Sequence, residues 1–473
     1  MLPVLAIVGR PNVGKSTLFN RLTRTRAALV GDMPGLTRDR QYGEGLSGEH
    51  RFILVDTGGL DTELEKPDFA QSKVRSSDKI IDLTEHQVWQ AVEEADAILF
   101  LVDARTGLLP SDLSIAKLLR AGGKNVHLVV NKTDGLDENI ATADFYSLGM
   151  GDLHPISAEH NLGVEELIDA VWATLPRDKA YQEKIVEENP SEDGEVSYST
   201  EIPTIKVALI GRPNVGKSTL TNRILGEERV IVCDQPGTTR DSIFVPFKRQ
   251  NQDYILIDTA GVRRHSRIDD KIEKFSVIKT LQAIAASDVV VMLIDARIGV
   301  VEQDMWLLGF IIDAGKALVL AVNKWDNLPA TQRALVHKEL ERRLAFVDFA
   351  KTHFISALHG TGVGDLFSSI INAYKSAIRK LSTPELTRIL EKAVTAHEPP
   401  LVNGRRIKMR YAHSGGRKPP VIIIHGNQLK EVSQDYKRYL EGFFRKSLQL
   451  TGTPVRIEFK HGRNPYVKIK RAL

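Results

Sequence analysis

Gly9-Arg10-Pro11-Asn12-Val13-Gly14-Lys15-Ser16 occurs twice in this chain; the second copy is Gly211-Arg212-Pro213-Asn214-Val215-Gly216-Lys217-Ser218. Both copies match the phosphate-loop pattern of Gly, any four residues, Gly, Lys, then Ser or Thr. Glycines let backbone N–H groups crowd around phosphate oxygens, and the following helix directs its positive dipole end toward them. The pattern predicts that Lys15 and Lys217 reach the β- and γ-phosphates while Ser16 and Ser218 hold Mg²⁺. A Gly-rich turn without ligand is the alternative for one match, and two identical copies disfavour it.

The length and composition of the chain bound its class. Its 473 residues are too many for one hydrophobic core and predict about three domains. The single cysteine, Cys233, excludes an internal disulfide and a Cys-based zinc site, which fits a reducing cytoplasm. No uncharged apolar run of about 18 residues occurs, so no membrane span is expected. Residues 1–4 lead straight into a predicted strand, so we expect no signal or transit peptide.

Positive charge is concentrated at one end of the chain. Residues 381–473 contain 19 Lys and Arg against seven Asp and Glu, about +12, which leaves about −8 for the remainder. Such an asymmetry favours a polyanionic partner for the basic end. Residues 176–203, with the acidic stretch 187–195, predict a flexible linker, and an exposed helix with a charged face is the alternative.

Asp56-Thr57-Gly58-Gly59 follows the predicted strand 51–55. An aspartate at the carboxyl end of a strand near the phosphate loop can hold Mg²⁺ through water, and the N–H of Gly59 can face a γ-phosphate. Turns often produce Asp-x-x-Gly, so the prediction depends on its order and distance after the phosphate loop.

Asn131-Lys132-Thr133-Asp134 follows the buried strand predicted at 127–130, and we expect it to select the base of the nucleotide. A carboxylate at Asp134 can accept from both N1–H and the 2-amino group of guanine, whereas adenine offers neither donor and leaves the acceptors unpaired. Ser157-Ala158 suits a loop that backs the base. Strands alternate with helices, which predicts an α/β fold with a mostly parallel, doubly wound sheet whose ligands bind at the carboxyl ends of the strands.

The second copy repeats these motifs in the same order, as Asp258-Thr259-Ala260-Gly261, Asn323-Lys324-Trp325-Asp326 and Ser356-Ala357. The phosphate loop and Asp-x-x-Gly are each 202 residues from their counterparts, whereas Asp103 and Asn131 are each 192 from theirs, so the first copy holds ten extra residues within 60–95. Constant offsets on either side indicate duplication. The extra residues are either a contact surface or a tolerated loop insertion.

The basic end predicts a small α+β domain. A helix over 384–396 capped by Thr383, strands over 406–411 and 421–426, a helix over 433–450 and a strand over 455–460 give the order α-β-β-α-β. This order resembles a KH module. Its Gly415-Gly416 lies between strands rather than helices, so the nucleotide clamp of KH domains is not expected. RNA phosphate contact is favoured by the local charge, and merely solvated basic strands are the alternative.

Each copy resembles a Ras-type GTPase of the TRAFAC class, and nearly the whole chain resembles the Era-like family of bacterial tandem GTPases. Further matches are Pro-Gly-x-Thr-Arg-Asp at 34–39 and 236–241, Gly452-Thr453-Pro454 and Asn464-Pro465. The expected organisation is a GTPase domain over 1–175, the linker over 176–203, a second GTPase domain over 204–379 and the KH-like domain over 380–473. The resemblance implies a monomeric cytoplasmic GTPase acting in assembly of the large ribosomal subunit, whose nucleotide state controls domain docking and rRNA binding.

Hydrolysis requires a positioned water, and Ras-like enzymes orient it with a glutamine after Asp-x-x-Gly. Leu60 and Val262 occupy that place here and cannot hold water. Either a partner donates an arginine or a monovalent cation lies beside the phosphates. Asn12 and Asn214 resemble the asparagines that help ligate K⁺ in potassium-stimulated GTPases, and an Asn that only stabilises the turn is the alternative.

The predicted site residues fall into three sets. Catalytic roles are assigned to Lys15, Thr37, Gly59, Lys217, Thr239 and Gly261. GTP or GDP is expected to contact residues 9–16, 56–60, 131–134, 157–158, 211–218, 258–262, 323–326 and 356–357. Magnesium is assigned to Ser16, Thr37, Asp56, Ser218, Thr239 and Asp258, and potassium to Asn12 and Asn214; Thr37 and Thr239 are the predicted switch-I threonines. Two other functions stay open: a GTP-gated RNA-binding scaffold with negligible hydrolysis, and a GTPase of tRNA modification.

Overall fold

A computed structural model describes residues 2–23, 29–30, 41–57, 92–93, 95–175, 203–226, 230–232, 244–258, 277–400 and 407–461. The chain divides into two compact units, one of residues 1–199 and 276–282 and the other of residues 200–275 and 283–473. The ten extra residues of the first copy and most of the predicted linker lie outside the described residues. Within the described ranges, no helix combines the length and the apolar character needed to cross a membrane.

The first unit is built on a seven-stranded sheet in the order β2-β3-β4-β1-β5-β6-β7. Its strands are β1 (Val4–Val8), β2 (Leu29–Val30), β3 (Gln41–Ser47), β4 (His50–Asp56), β5 (Ala97–Asp103), β6 (Val126–Asn131) and β7 (Leu153–Pro155). Its helices are α1 (Lys15–Thr23), α2 (Pro110–Ala121), α3 (Glu138–Thr142) and α4 (Val164–Thr174), with a 3₁₀ turn at Ala143–Leu148. Pairings of β2 with β3 and β3 with β4 are antiparallel, and the remaining neighbours are parallel.

The centre of this sheet explains its topology. Strands β1 and β5 are apolar and buried at every position before the terminal Asp103, as expected of parallel strands covered on both faces. One core cluster joins Leu5 and Leu99 of these strands to Phe19 of α1 and Ile168 of α4. The motifs that follow β1, β4, β5 and β6 therefore meet at one edge of the sheet.

The second copy repeats this topology, with its sheet ordered β14-β13-β12-β8-β11-β10-β9. Its strands are β8 (Ile205–Ile210), β9 (Val230–Val232), β10 (Phe244–Arg249), β11 (Gln252–Asp258), β12 (Val289–Asp295), β13 (Ala317–Asn323) and β14 (Lys351–Phe354). Its helices are α5 (Lys217–Leu225), α6 (Val277–Ala286), α7 (Glu302–Asp313), α8 (Ala330–Arg343) and α9 (Val363–Ile378), with 3₁₀ turns at Trp325–Asn327 and Ala345–Val347. The predicted pair of mostly parallel α/β sheets is confirmed.

The basic end forms a three-stranded sheet in the order β15-β16-β17, from β15 (Lys408–Gly416), β16 (Val421–Asn427) and β17 (Arg456–His461). Helices α10 (Thr383–Ala396) and α11 (Gln434–Ser447) cover one face, and a 3₁₀ turn occupies Leu429–Glu431. The predicted order α-β-β-α-β is confirmed. Two details were wrong. Thr383 is the first helical residue, and the N-cap is Ser382. Gly415-Gly416 ends β15 and does not lie between strands.

Gly452 connects this small sheet to the second GTPase sheet. Its carbonyl accepts a 2.6 Å hydrogen bond from the amide of Leu318, and its own amide donates to the Phe349 carbonyl at 2.7 Å. Gly452 has a φ of +69°, and a Cβ there would lie 2.5 Å from the Cβ of Ala373. Glycine is therefore required twice, for its backbone conformation and for the close approach to α9.

The equivalent place in the first copy is filled by polar side chains. Thr174 lies as far along α4 from its N-cap glycine as Ala373 does along α9, and its hydroxyl lies 3.0 Å from Nε2 of His127. The other ring nitrogen of His127 lies 3.4 Å from Nε2 of His154. Burial, reinforced by His154, lowers the pKa of His127 to about 4. In the second copy, the strand position that matches His127 is the buried Val319.

We predict that His127→Val makes the first sheet less sensitive to acid. A histidine whose pKa falls from 6.5 unfolded to about 4 folded contributes stability that is present above pH 6.5 and is lost as the pH falls toward 4. The loss is about 3 kcal/mol by linkage. Hydrogen-exchange protection of the β6 amides should match between the proteins at pH 7 and be higher in the variant at pH 5. Equal losses of protection at pH 5 would contradict the assignment.

Candidate functional site

Each phosphate loop joins a buried strand to a helix and holds its lysine inward. Nζ of Lys15 donates to the carbonyl oxygens of Gly9 at 2.9 Å and Arg10 at 2.7 Å, and the residue is only 6% exposed. Lys217 makes the equivalent two bonds at 3.0 and 2.8 Å. A cation at this position has neutral carbonyl partners, so a phosphate oxygen would be a stronger acceptor.

The turn of each loop depends on residues in the left-handed region. Asn12 has a φ of +64° and Asn214 a φ of +63°, a conformation that asparagine tolerates better than most residues. Gly14 has a φ of +98°, and a Cβ there would lie 2.3 Å from Nδ2 of Asn131. Gly216 repeats this, with the same distance to the second copy's asparagine. Both the backbone and the space around it therefore require glycine.

Two of the three predicted magnesium ligands of the first copy, Ser16 and Asp56, lie together. The hydroxyl of Ser16 donates to Oδ2 of Asp56 at 3.0 Å, across the start of α1 and the end of β4. Hydroxyl and carboxylate oxygens are the hard ligands that Mg²⁺ prefers, so these residues fit that ion. In the second copy Ser218 lies at the equivalent start of α5, and Asp258 ends β11, but its side chain lies outside the described part of the chain.

One asparagine in each copy links the base motif to the phosphate loop. Nδ2 of Asn131 donates to the Val13 carbonyl at 2.7 Å, and its Oδ1 accepts from the amide of Ala158 at 3.0 Å. The equivalent bonds of Asn323 are 2.7 and 2.9 Å. One buried amide therefore joins three loops that come from distant parts of the chain.

The lysine that follows each of these asparagines binds groups at the carboxyl ends of the same strands. Nζ of Lys132 donates to the Asn12 carbonyl at 2.8 Å and to Oδ2 of Asp103 at 2.7 Å. Lys324 makes both contacts at 2.7 and 2.6 Å, the second with Asp295. Burial alone would raise the pKa of Asp103, but hydrogen bonds from Lys132, Thr106 and the Arg105 amide lower it. The carboxylate thus stays ionised and holds the lysine stem along the edge where the base is expected.

The base-selecting carboxylates are held by serine hydroxyls. Oγ of Ser157 donates to Oδ1 of Asp134 at 2.9 Å, and this bond is the main reason why the pKa of Asp134 is lowered. The pKa of Asp326 is lowered in the same way by Ser356. An ionised carboxylate is an acceptor at both oxygens, which is what the two guanine donors require. The geometry therefore favours guanine at both sites.

An arginine and a histidine lie near each carboxylate predicted to select the base, and sequence reasoning missed them. Arg105 hydrogen-bonds to Asp134, and Nε2 of His160 lies 3.9 Å from the same carboxylate. In the second copy His359 lies 3.3 Å from Asp326, and Arg297 contributes to the lowered pKa of that group. The signal was available, because each residue recurs in the other copy at the offset of the neighbouring motif.

The second residue of each phosphate loop pairs with a buried aspartate. Nε of Arg10 lies 3.3 Å from the fully buried carboxylate of Asp112, and Arg212 makes a 3.0 Å bond to the equally buried Asp304. Asp112 also accepts from the Leu109 amide at the start of α2. Burial raises the pKa of both aspartates against the opposing effect of these partners. This pair of ion pairs was likewise not predicted.

The remaining predicted residues divide into described and undescribed sets. The Thr133 hydroxyl donates to the Ile156 carbonyl at 3.0 Å, and Trp325 packs against Phe354 with ring centroids 4.3 Å apart. Thr57 binds the Ile7 carbonyl at 2.8 Å. Outside the described residues lie Thr37, Gly58, Gly59, Leu60, Thr239, Thr259, Ala260, Gly261 and Val262. Their roles stay predictions.

Comparison with known proteins agrees with this geometry. A family described as "50S ribosome-binding GTPase" matches residues 4–132 and 206–324, and a family described as "KH-domain-like of EngA bacterial GTPase enzymes, C-terminal" matches residues 380–460. Over 100% of the chain and 96% of each relative, it is 53% identical to GTPase Der of Citrobacter koseri and 54% identical to GTPase Der of Salmonella enteritidis PT4. GTPase Der of Escherichia coli O127:H6 is 53% identical over the same shares.

We predict that Gly14→Ala and Gly216→Ala each abolish nucleotide binding in one copy. The added methyl group requires a strained φ and displaces the asparagine amide that joins the loops. Isothermal titration calorimetry with GTP should find two sites in the unmodified chain, one in either variant and none in the double variant. Gly107→Ala is the matched control, since Gly107 also has a positive φ, of +71°, but its Cβ would meet nothing within 4 Å. Two full-affinity sites in Gly14→Ala would disprove the interpretation.

Proposed function

The chain belongs to the GTPase Der family, and on that premise we propose that it is a GTP-hydrolysing switch in assembly of the large ribosomal subunit. It binds one guanine nucleotide in each copy, and the nucleotide state controls domain arrangement and contact with rRNA. It acts as a monomer in the cytoplasm. The proposed divisions remain GTPase domains at 1–175 and 204–379, a linker at 176–203 and a KH-like domain at 380–473.

The observation that carries this proposal is the pair of matching nucleotide sites. In each copy a phosphate-loop lysine, a base-selecting aspartate and the asparagine that joins them lie at one sheet edge. Lys15 and Lys217 bind the β- and γ-phosphates, and Ser16 with Asp56, like Ser218 with Asp258, would hold Mg²⁺. The ion neutralises phosphate charge when bound. Gly59 and Gly261 offer amides to the γ-phosphate, and Thr37 and Thr239 report its presence.

Slow, potassium-stimulated hydrolysis is proposed from the aliphatic residues at the water position. Leu60 and Val262 cannot orient water. The arginines of the two phosphate loops, Arg10 and Arg212, form ion pairs with buried aspartates. We infer that an added cation compensates the charge, with the side-chain oxygens of Asn12 and Asn214 as its ligands, and an arginine donated by a partner is the alternative. An RNA-binding scaffold without turnover is the competing function.

An RNA partner is supported by the family description and by charge. The matched family is described as ribosome-binding. The segment 381–473 carries about +12, and such local charge favours phosphate contact. Arg410, Arg417 and Arg438 are exposed on this segment. Binding to large subunits should therefore weaken as salt is raised.

We predict that GTP turnover is faster in KCl than in equimolar NaCl, by roughly tenfold or more. The double variant Asn12→Gly/Asn214→Gly should lose this stimulation. Glycine adopts the same positive φ without cost, so the variant removes the side-chain oxygen and leaves the turn. GTP affinity, measured in the same buffers, should stay within about threefold of the unmodified chain.

Two outcomes would decide against the cation mechanism. Potassium stimulation that persists in the glycine variant would mean that the asparagines only shape the loop. Absence of turnover in both salts would favour the scaffold.

Large-subunit binding should depend on nucleotide in a copy-specific way. Asp134→Asn or Asp326→Asn replaces an acceptor with an amide donor, which suits the 2-oxygen of xanthine rather than the 2-amino group of guanine. Each variant should therefore respond to xanthosine triphosphate in one copy while GTP addresses the other. Cosedimentation with 50S subunits should change between triphosphate and diphosphate in at least one copy. Binding to 50S subunits that does not change with any nucleotide would contradict the switch proposal. The control is the unmodified chain, which should not respond to xanthosine nucleotides.

A further inference from the structure

The three-stranded sheet has two unlike faces. Ala412, Ile422, Ile424 and Ile457 point into the core beneath α10 and α11. The opposite face carries Tyr411 on β15, with 43% of its surface exposed. One exposed ring alone is ordinary, so what matters is which side chains lie beside Tyr411 on this face.

One row of this face crosses all three strands. Tyr411 is the register partner of His425 on β16, and His425 is the partner of Lys460 on β17. In the adjacent row His413 faces Ile423, which faces Glu458. Lys460 and Glu458 are both exposed, and so are Lys408 and Arg410 at the start of β15. A ring, an imidazole and an ammonium group thus lie side by side, with positive charge in excess.

The rings of this face form a stack. The Tyr411 and His425 ring centroids are 4.5 Å apart with planes 6° from parallel, and His413 follows at 5.1 Å and 25°. Nε2 of His413 lies 3.0 Å from Nε2 of His425, so one nitrogen donates and the other accepts. Burial, followed by the charges of His413 and Lys460, lowers the pKa of His425. The stack is held in place from within, and the phenol at its end is the exposed ring.

We propose that Tyr411 and Lys460 form a docking surface for single-stranded RNA, with an unpaired base stacked on the tyrosine ring and its phosphate beside the lysine. The inference rests on the proposed function for the nature of the partner and adds the residues and the strandedness. Sheets that present aromatic rings beside cations bind unpaired bases in other RNA-binding modules. A base-paired helix keeps its bases stacked inside and cannot use the ring.

The test is fluorescence anisotropy of the full chain with a labelled 12-nucleotide single-stranded RNA of mixed sequence, at low salt. Tyr411→Ala should weaken binding by about 5- to 150-fold, the effect of losing one base–aromatic stack. Tyr411→Phe keeps the ring and should bind within about twofold of the unmodified chain. Lys460→Ala should make the salt dependence shallower by about 0.7 in log–log slope, whereas Tyr411→Ala should leave that slope unchanged.

The controls separate this surface from general charge and from the ribosomal role. Tyr146→Ala removes a tyrosine that is 65% exposed in the first copy and should have no effect. Duplex RNA of the same sequence should bind equally to the Tyr411→Ala variant and the unmodified chain.

Unchanged single-strand affinity in Tyr411→Ala overturns the inference, as does equal weakening for single strand and duplex. If Tyr411→Ala fails to fold, loss of binding in Tyr411→Phe or an unaltered salt slope in Lys460→Ala overturns it as well. Cosedimentation with 50S subunits is scored separately, so either proposal can fail without the other.

Discussion

The asparagine that opens each base motif is the contact on which the nucleotide sites depend. Its buried amide binds a phosphate-loop carbonyl with its nitrogen and the Ala158 or Ala357 amide with its oxygen. Because the amide is buried, losing one of these bonds would leave a desolvated polar group at a cost of about 1–3 kcal/mol. The motif predicted to select the base and the phosphate loop are thereby joined through a single side chain. The same contact explains the glycine that precedes each loop lysine.

Much of the fold and part of the site could be predicted from residues alone. The apolar runs of β1 and β5, the repeated phosphate loop and the α-β-β-α-β order at the basic end are local patterns, and local patterns are legible in a sequence. Asp134 and Asp326 were predicted as base-selecting residues because guanine requires an acceptor at that place, and each is held by a serine hydroxyl as an acceptor requires. What could not be predicted were side-chain contacts between distant loops, such as Arg10 with Asp112, since the pattern of either residue alone resembles an ordinary solvated charge. Comparing the two copies would have exposed both members.

Those buried ion pairs are better understood as positional than as stabilising. Desolvation of two charges offsets much of their attraction, so a buried pair is weak evidence of added stability. What the pair does is fix a guanidinium at the side of the loop that faces α2 or α7. Each loop arginine is thereby engaged by an aspartate, which leaves Lys15 or Lys217 as the phosphate-loop residue predicted to bring positive charge to the γ-phosphate.

Duplication makes two like halves, and Gly452 shows how they ceased to be interchangeable. Gly452, in the loop before β17, packs against Ala373 of α9, whereas Thr174 at the matching place of the first copy lies within hydrogen-bond distance of His127. The Thr174 hydroxyl and the His127 imidazole occupy the first copy where the second copy contacts the backbone of Gly452. The two copies therefore differ at the amino ends of their strands, away from the carboxyl ends where the nucleotide motifs lie. The two copies are therefore not equivalent, and the order in which they occur along the chain is part of the architecture.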